Sequence, residues 1–228
     1  MSATVSVIIA IICSLGCLAS VIFYLRAKDE AIRRLLLSPA AIWALFVATV
    51  LLPQATAAIA GWILAGLALV AGADVLRFLR SGDPKDNRFF LAIAAVLSAV
   101  GYLLCANGLM AVCRPEWEGV LSLFLVVLIA ALSYKKRKGI HPQHGLQIPV
   151  LLHLCAVLFM GSLGIALAVR NPNAGLILMG LGGLCSILGV NGLLAYAYGK
   201  KPTPEQYLFA RGSHFLALLL MGWSILFL

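Results

Sequence analysis

Polar residues fall in short clusters along the chain, separated by apolar runs of about the 20 residues a helix needs to cross a hydrocarbon core. Reading between the clusters predicts eight spans, near 3–25, 35–53, 56–79, 89–112, 118–134, 147–169, 173–198 and 208–228. Transmembrane strands would show alternating polarity instead of unbroken runs such as Leu123 to Leu132. Helices are therefore the expected spanning element, because they satisfy their own backbone polar groups in lipid. The pattern predicts an all-α integral membrane protein, a bundle of eight transmembrane helices.

Composition agrees, at 63% hydrophobic and 11% charged residues where a soluble domain is about a quarter charged. No hydrophilic stretch is long enough for a soluble domain, so residues 1–228 read as one polytopic membrane domain. The first run has no basic residue before it and Arg26, Lys28, Arg33 and Arg34 after it, the reverse of a secretory leader. It is expected to be a retained helix with its N-terminus outside.

A net charge of +9 raises the question of nucleic acid, which the distribution of charge answers. With the N-terminus outside, fourteen Lys and Arg lie on inner loops and adjoining helix ends, including Arg80, Arg88, Lys135 to Lys138, Lys200, Lys201 and Arg211. Only Arg114 and Arg170 lie outside. This positive-inside bias predicts both termini on the non-cytoplasmic side and a multi-pass protein of the inner or plasma membrane, with no nucleic-acid partner. The tetrad Lys135 to Lys138 reads as a topology determinant, or as a contact for acidic headgroups. The six cysteines show no metal-like pairing, and neither a metal nor a cofactor is expected.

Asp74 is the acidic residue set well inside a span, where a carboxylate must be paired, hydrated or protonated, and it is the leading candidate for chemistry. It sits about five residues before the inner boundary, roughly 8 Å deep at 1.5 Å per residue. Arg77, at i+3, shares its face and is a candidate partner. Asn191 in the seventh span, His153 in the sixth and His214 in the eighth fall at similar depth. If their faces converge, the layer is a polar site open to an amphiphile from the inner leaflet. The plainer alternative is an interfacial Asp–Arg lock between helices. Burial favours the neutral acid and Arg77 the carboxylate, and the sequence leaves the choice open. A weak echo between Ala71-Gly72-Ala73-Asp74 and Leu188-Gly189-Val190-Asn191 suggests a four-plus-four duplication with parallel copies. Phosphate loops, dinucleotide fingerprints and zinc-protease motifs are absent from the sequence.

Leu35-Leu36-Leu37-Ser38-Pro39, the run Ala65 to Leu76 around Asp74, Tyr102, Met160 and the Gly-rich stretch before Asn191 resemble the YhhN-type lysoplasmalogenases, over nearly the whole chain. The resemblance implies eight membrane helices and hydrolysis of the vinyl-ether bond of a lysoplasmalogen to a fatty aldehyde and a glycerophospho-alcohol. Its partners would be a lysophospholipid or other amphiphile and the surrounding membrane lipids. A vinyl ether is cleaved by protonating its β-carbon, after which water traps the oxocarbenium ion, and the family's pair of aspartates suits this as the paired carboxylates of glycosidases suit theirs. Asp74 matches the first of these, and Asn191 stands where the second is expected. On this resemblance Asp74, Asn191, His153 and His214 are the catalytic candidates, and Arg77, Ser38 and Tyr102 the substrate-binding ones. Ser38 replaces a family lysine, Ala99 a histidine and His214 a tyrosine. These departures leave open a hydrolase with His153 or His214 as base, a protein of the same fold with another substrate, and an inactive relative. Two other classes also fit the residues: a membrane binding or transport protein with Asp74–Arg77 as gate, and a respiratory anchor with His153 and His214 as haem ligands.

Overall fold

The computed structural model describes residues 2–27, 30–55, 58–78, 84–135, 146–197 and 203–228. Of these, 25, 30–38, 78, 84–87, 112, 130–135, 191–197, 204 and 207 are described by their backbone alone. The described regular structure is all helical: α1 (Ala3–Arg26), α2 (Glu30–Leu51), α3 (Ile59–Phe78), α4 (Pro84–Cys113), α5 (Trp117–Lys135), α6 (Gln147–Arg170), α7 (Ala174–Ala197) and α8 (Pro204–Ser224).

Helix ends follow local chemistry where the apolar runs do not. The Ser2 hydroxyl caps α1 by accepting from the Val5 N–H. Thr203 and Gln206 form a reciprocal capping box with Pro204 in the first turn, so α8 starts before residue 208, where its apolar run begins. Likewise α4 starts at Pro84 instead of 89. Hydropathy marks the lipid boundary, whereas caps and prolines mark where the helix begins. α2 stops at Leu51 and tightens into a 3₁₀ turn, Leu52–Gln54, around Pro53, which has no N–H to continue the α-helical ladder.

Among the described residues, four segments are long and apolar enough to cross a membrane: Ala3–Tyr24, Ile59–Arg77, Arg88–Ala111 and Gln147–Arg170. Pro39–Gln54, Trp117–Ile129 and Ala174–Val190 are shorter apolar helices. The exterior is that of a protein solvated by lipid. Ile8, Leu15 and Phe23 of α1 and Val120, Phe124 and Val127 of α5 are exposed, while Ala10, Ala44, Ala48, Ala94, Ala95 and Ala99 are buried. Large apolar side chains outside and small ones between helices suit a bilayer, where burial from water does not drive helix association. The protein is thus helical and suited to a membrane.

Six helices close a ring in the order α2, α3, α4, α6, α7, α8 and back to α2, with α1 packed outside on α2 and α5 outside on α6. The neighbour relations of the first four helices recur in the last four. α1 on α2, α2 on α3, α3 on α4 and α4 on α6 correspond to α5 on α6, α6 on α7, α7 on α8 and α8 on α2. This is the arrangement a parallel four-plus-four duplication produces.

The tightest seam that bears on the polar layer lies between α3 and α4. A Cβ at Gly101 would stand 2.6 Å from the Gly66 carbonyl oxygen, and one at Gly66 2.5 Å from the Gly101 carbonyl oxygen. At the far end of α6, Arg170 reaches Glu118 of α5 at 3.2 Å, and Glu118 also accepts from the Glu116 N–H. Trp223 of α8 donates to Ser14 of α1 at 2.9 Å, pinning the outer helix to the ring.

Candidate functional site

Near its C-terminal end, α3 carries Asp74 and Arg77 one turn apart on one face. The Arg77 Nη1 donates to Asp74 Oδ1 at 2.6 Å, and both residues are buried. The other carboxylate oxygen, Oδ2, lies 2.6 Å from Nε2 of His214 on α8. Arg211, one turn before His214, places Nη1 3.9 Å from Asp74 Oδ1 and is partly exposed. Arg77 reaches past Asp74 to α4, where Nη2 donates to Ser98 Oγ at 3.1 Å. One carboxylate and one guanidinium therefore tie α3, α4 and α8 together.

Close backbone approach makes these contacts possible. The Gly66–Gly101 seam sets α3 against α4, the helix that carries Ser98. α7 crosses α8 at Gly189, where an added Cβ would lie 3.1 Å from His214 Cβ and 3.2 Å from the Ala210 carbonyl oxygen. A larger residue at 189 would displace the helix that holds the imidazole.

A second polar group adjoins the first. One turn along α4 from Ser98, the buried Tyr102 ring lies 5.7 Å, centroid to centroid, from the ring of His153 on α6. Ser186 of α7 is buried beside the Tyr102 hydroxyl. His153 is buried within electrostatic reach of Arg77, His214 and Asp74. Arg77 Nε, His153 Nδ1 and Ser186 Oγ are buried with no hydrogen-bond partner.

No family model matches the chain, and neither a curated protein nor a solved structure does.

Asp74, Arg77, His214, His153 and Tyr102, singled out in the sequence, gather in one buried region between α3, α4, α6 and α8. The side chains of Asn191 and Ser38 lie outside the described residues. Ser98, Ser186 and Arg211 belong to the cluster but not to the sequence-derived set. A signal existed for two of them: Ser98 lies one helical turn from Tyr102, and Arg211 one turn from His214. Ser186 carries no such mark, because its place follows from how α7 packs on α6. Among the described residues no three His, Cys, Asp or Glu side chains gather as metal ligands.

Chemically, the cluster is arranged for proton transfer. Asp74 accepts from Arg77 on one oxygen and faces an imidazole on the other, so it can fix the ring's orientation. The same contacts also suit an interhelical lock. Both oxygens of the buried acid are engaged, as burial of a charge requires.

Proposed function

We propose that the protein crosses the membrane eight times with both termini on the non-cytoplasmic side, and that it is a lysoplasmalogenase-like hydrolase cleaving vinyl ethers of lysophospholipids. The observation that carries the catalytic part is the 2.6 Å contact between Asp74 Oδ2 and His214 Nε2, with Arg77 on the other oxygen. As a carboxylate, Asp74 is acceptor-only, so His214 carries its hydrogen on Nε2 and Nδ1 is left to take up and release a proton. The acid role thus passes from Asp74 itself to His214, and Asp74 becomes the group that orients it. Protonated His214 delivers a proton to the β-carbon of the vinyl ether. Water then adds to the oxocarbenium carbon, and the hemiacetal collapses to aldehyde and glycerophospho-alcohol. Two of the four departures from the family pattern, Asn191 and His214, are accommodated, because one Asp–His pair replaces two carboxylic acids.

Purified protein in detergent, given a lysoplasmalogen and assayed for fatty aldehyde, is expected to turn over. Asp74→Asn should lose at least a hundredfold in rate, the scale of a missing acid–base group. Equal rates in the two proteins would remove the pair from the mechanism.

A second reading is a non-catalytic membrane binding or transport protein, with the polar layer as its ligand site. It draws support from Arg77 and Arg211 both standing on Asp74, an arrangement that satisfies the acid without any reaction. Lysophospholipid binding that persists with no aldehyde released would favour it.

A further inference from the structure

Three buried polar atoms without partners lie on three helices, Arg77 Nε on α3, His153 Nδ1 on α6 and Ser186 Oγ on α7, and the His153 ring is 5.7 Å from that of Tyr102 on α4. Leaving such atoms unsatisfied in a low-dielectric interior is costly, and buried groups of this kind are ordinarily met by a bound molecule. Their chemistry is complementary. Arg77 Nε–H can only donate, the serine hydroxyl donates and accepts, and a neutral imidazole presents a lone pair on one nitrogen. A water molecule, with two hydrogens to give and two lone pairs to fill, can satisfy all three, and three partners are typical of a buried water. An anion would be matched in only one tautomer of the imidazole, whereas water suits both, and a cation would meet the arginine.

We propose that Arg77, His153 and Ser186 form a water subsite beside Tyr102, distinct from the Asp74–His214 pair, and that it supplies the water consumed in hydrolysis. This rests on the hydrolase reading given above. After His214 protonates the β-carbon, this water's oxygen bonds to the oxocarbenium carbon. His153 takes the proton released and gives it to the glycerol oxygen as the hemiacetal's bond to that oxygen breaks. The hemiacetal hydroxyl proton returns to His214, so that aldehyde and alcohol leave and both imidazoles regain their starting states. One water is consumed for each ether cleaved, with no oxidant or reductant. His153 is then the base, and Ser186 and Arg77 are positioning residues.

Two measurements on the full chain in lipid nanodiscs test this. A structure determined at a resolution that shows ordered waters should place density about 2.6 to 3.2 Å from Arg77 Nε, His153 Nδ1 and Ser186 Oγ. A dry site overturns the proposal whether or not aldehyde is formed. In the aldehyde assay, His153→Phe should fall about a hundredfold in kcat, and Ser186→Ala about tenfold with KM unchanged, as expected of groups acting on water instead of lipid. Full turnover in both variants overturns the hydrolytic role while leaving the hydrolase reading intact. Density in a wild-type protein that releases no aldehyde overturns the hydrolytic role together with that reading. Thermal midpoints report separately on the site: Ser186→Ala should lower the midpoint if its hydroxyl holds water, and an unchanged or higher midpoint contradicts that.

Discussion

His214 and Asp74 are 140 residues apart in sequence and 2.6 Å apart in space, and with Arg77 they join α8 to α3 inside the ring. Neither helix could bury its polar residue alone, so each supplies the condition for the other's place in the interior.

The first prediction follows from this mutual dependence. Removing one member of a buried ion pair strands the other, at about 3 to 5 kcal/mol, whereas replacing both with apolar residues is often neutral. Asp74→Leu and Arg77→Met should each lower the thermal midpoint in detergent sharply. The double variant should be more stable than either single one. A double variant as unstable as the sum of the singles would show that the two residues stabilise the fold independently.

The second concerns the α3–α4 seam. Alanine at Gly101 would set its Cβ 2.6 Å from the Gly66 carbonyl oxygen and 2.8 Å from Val70 Cγ2, forcing the helices apart. Overpacking of this kind costs about 1 to 3 kcal/mol, and it should also loosen the Arg77–Ser98 contact that spans the same pair of helices. Gly61→Ala on α3, where nothing lies within 4 Å, is the control and should unfold at the wild-type temperature. Equal midpoints for Gly101→Ala and Gly61→Ala would contradict the close approach.

Much of this is legible in the sequence, for physical reasons that differ from residue to residue. Apolar runs show where lipid solvates the chain, so the helices are readable, but not the start of α8, which is set by the Thr203–Gln206 capping box. Asp74 stands out because a carboxylate is expensive in hydrocarbon, and Arg77 because helical spacing fixes its face. Depth brings His153 and His214 into consideration, but depth carries no azimuth. Which faces meet is decided by the ring of helices and by glycines such as Gly101 and Gly189. For that reason Ser186, an ordinary residue for a membrane helix, is distinguishable only once α7 is in place, whereas Ser98 at least shares a helix face with Tyr102. Arg211 reads in the sequence as a topological charge one helical turn from His214, and the carboxylate it approaches is decided by how α8 packs on α3.

Orientation provides the third prediction. The polar layer lies near the C-terminal end of α3 and the N-terminal end of α6, whereas the Glu118–Arg170 contact lies at the opposite end of α6. If the basic connections face the cytoplasm, a reporter active only outside should work when fused after Leu228 and fail when inserted within 136–145. The reverse pattern would invert the protein and put the polar layer in the outer leaflet.

The last prediction tests whether the arginine fork is used as a fork. Arg77 engages Asp74 through Nη1 and Ser98 through Nη2, a division that the single ammonium of lysine cannot reproduce at the same spacing. In the wild type, Ser98→Ala should cost about 1.5 to 3 kcal/mol, the range for a hydrogen bond to a charged group. In an Arg77→Lys background the same substitution should cost almost nothing, because the ammonium stays with the carboxylate and leaves the serine. Thermal midpoints of the four proteins close a double-mutant cycle, in which the coupling between positions 77 and 98 is the quantity read. Zero coupling would mean that Ser98 is held by its packing in α4 and that the guanidinium contributes nothing to the α3–α4 contact beyond its charge on Asp74.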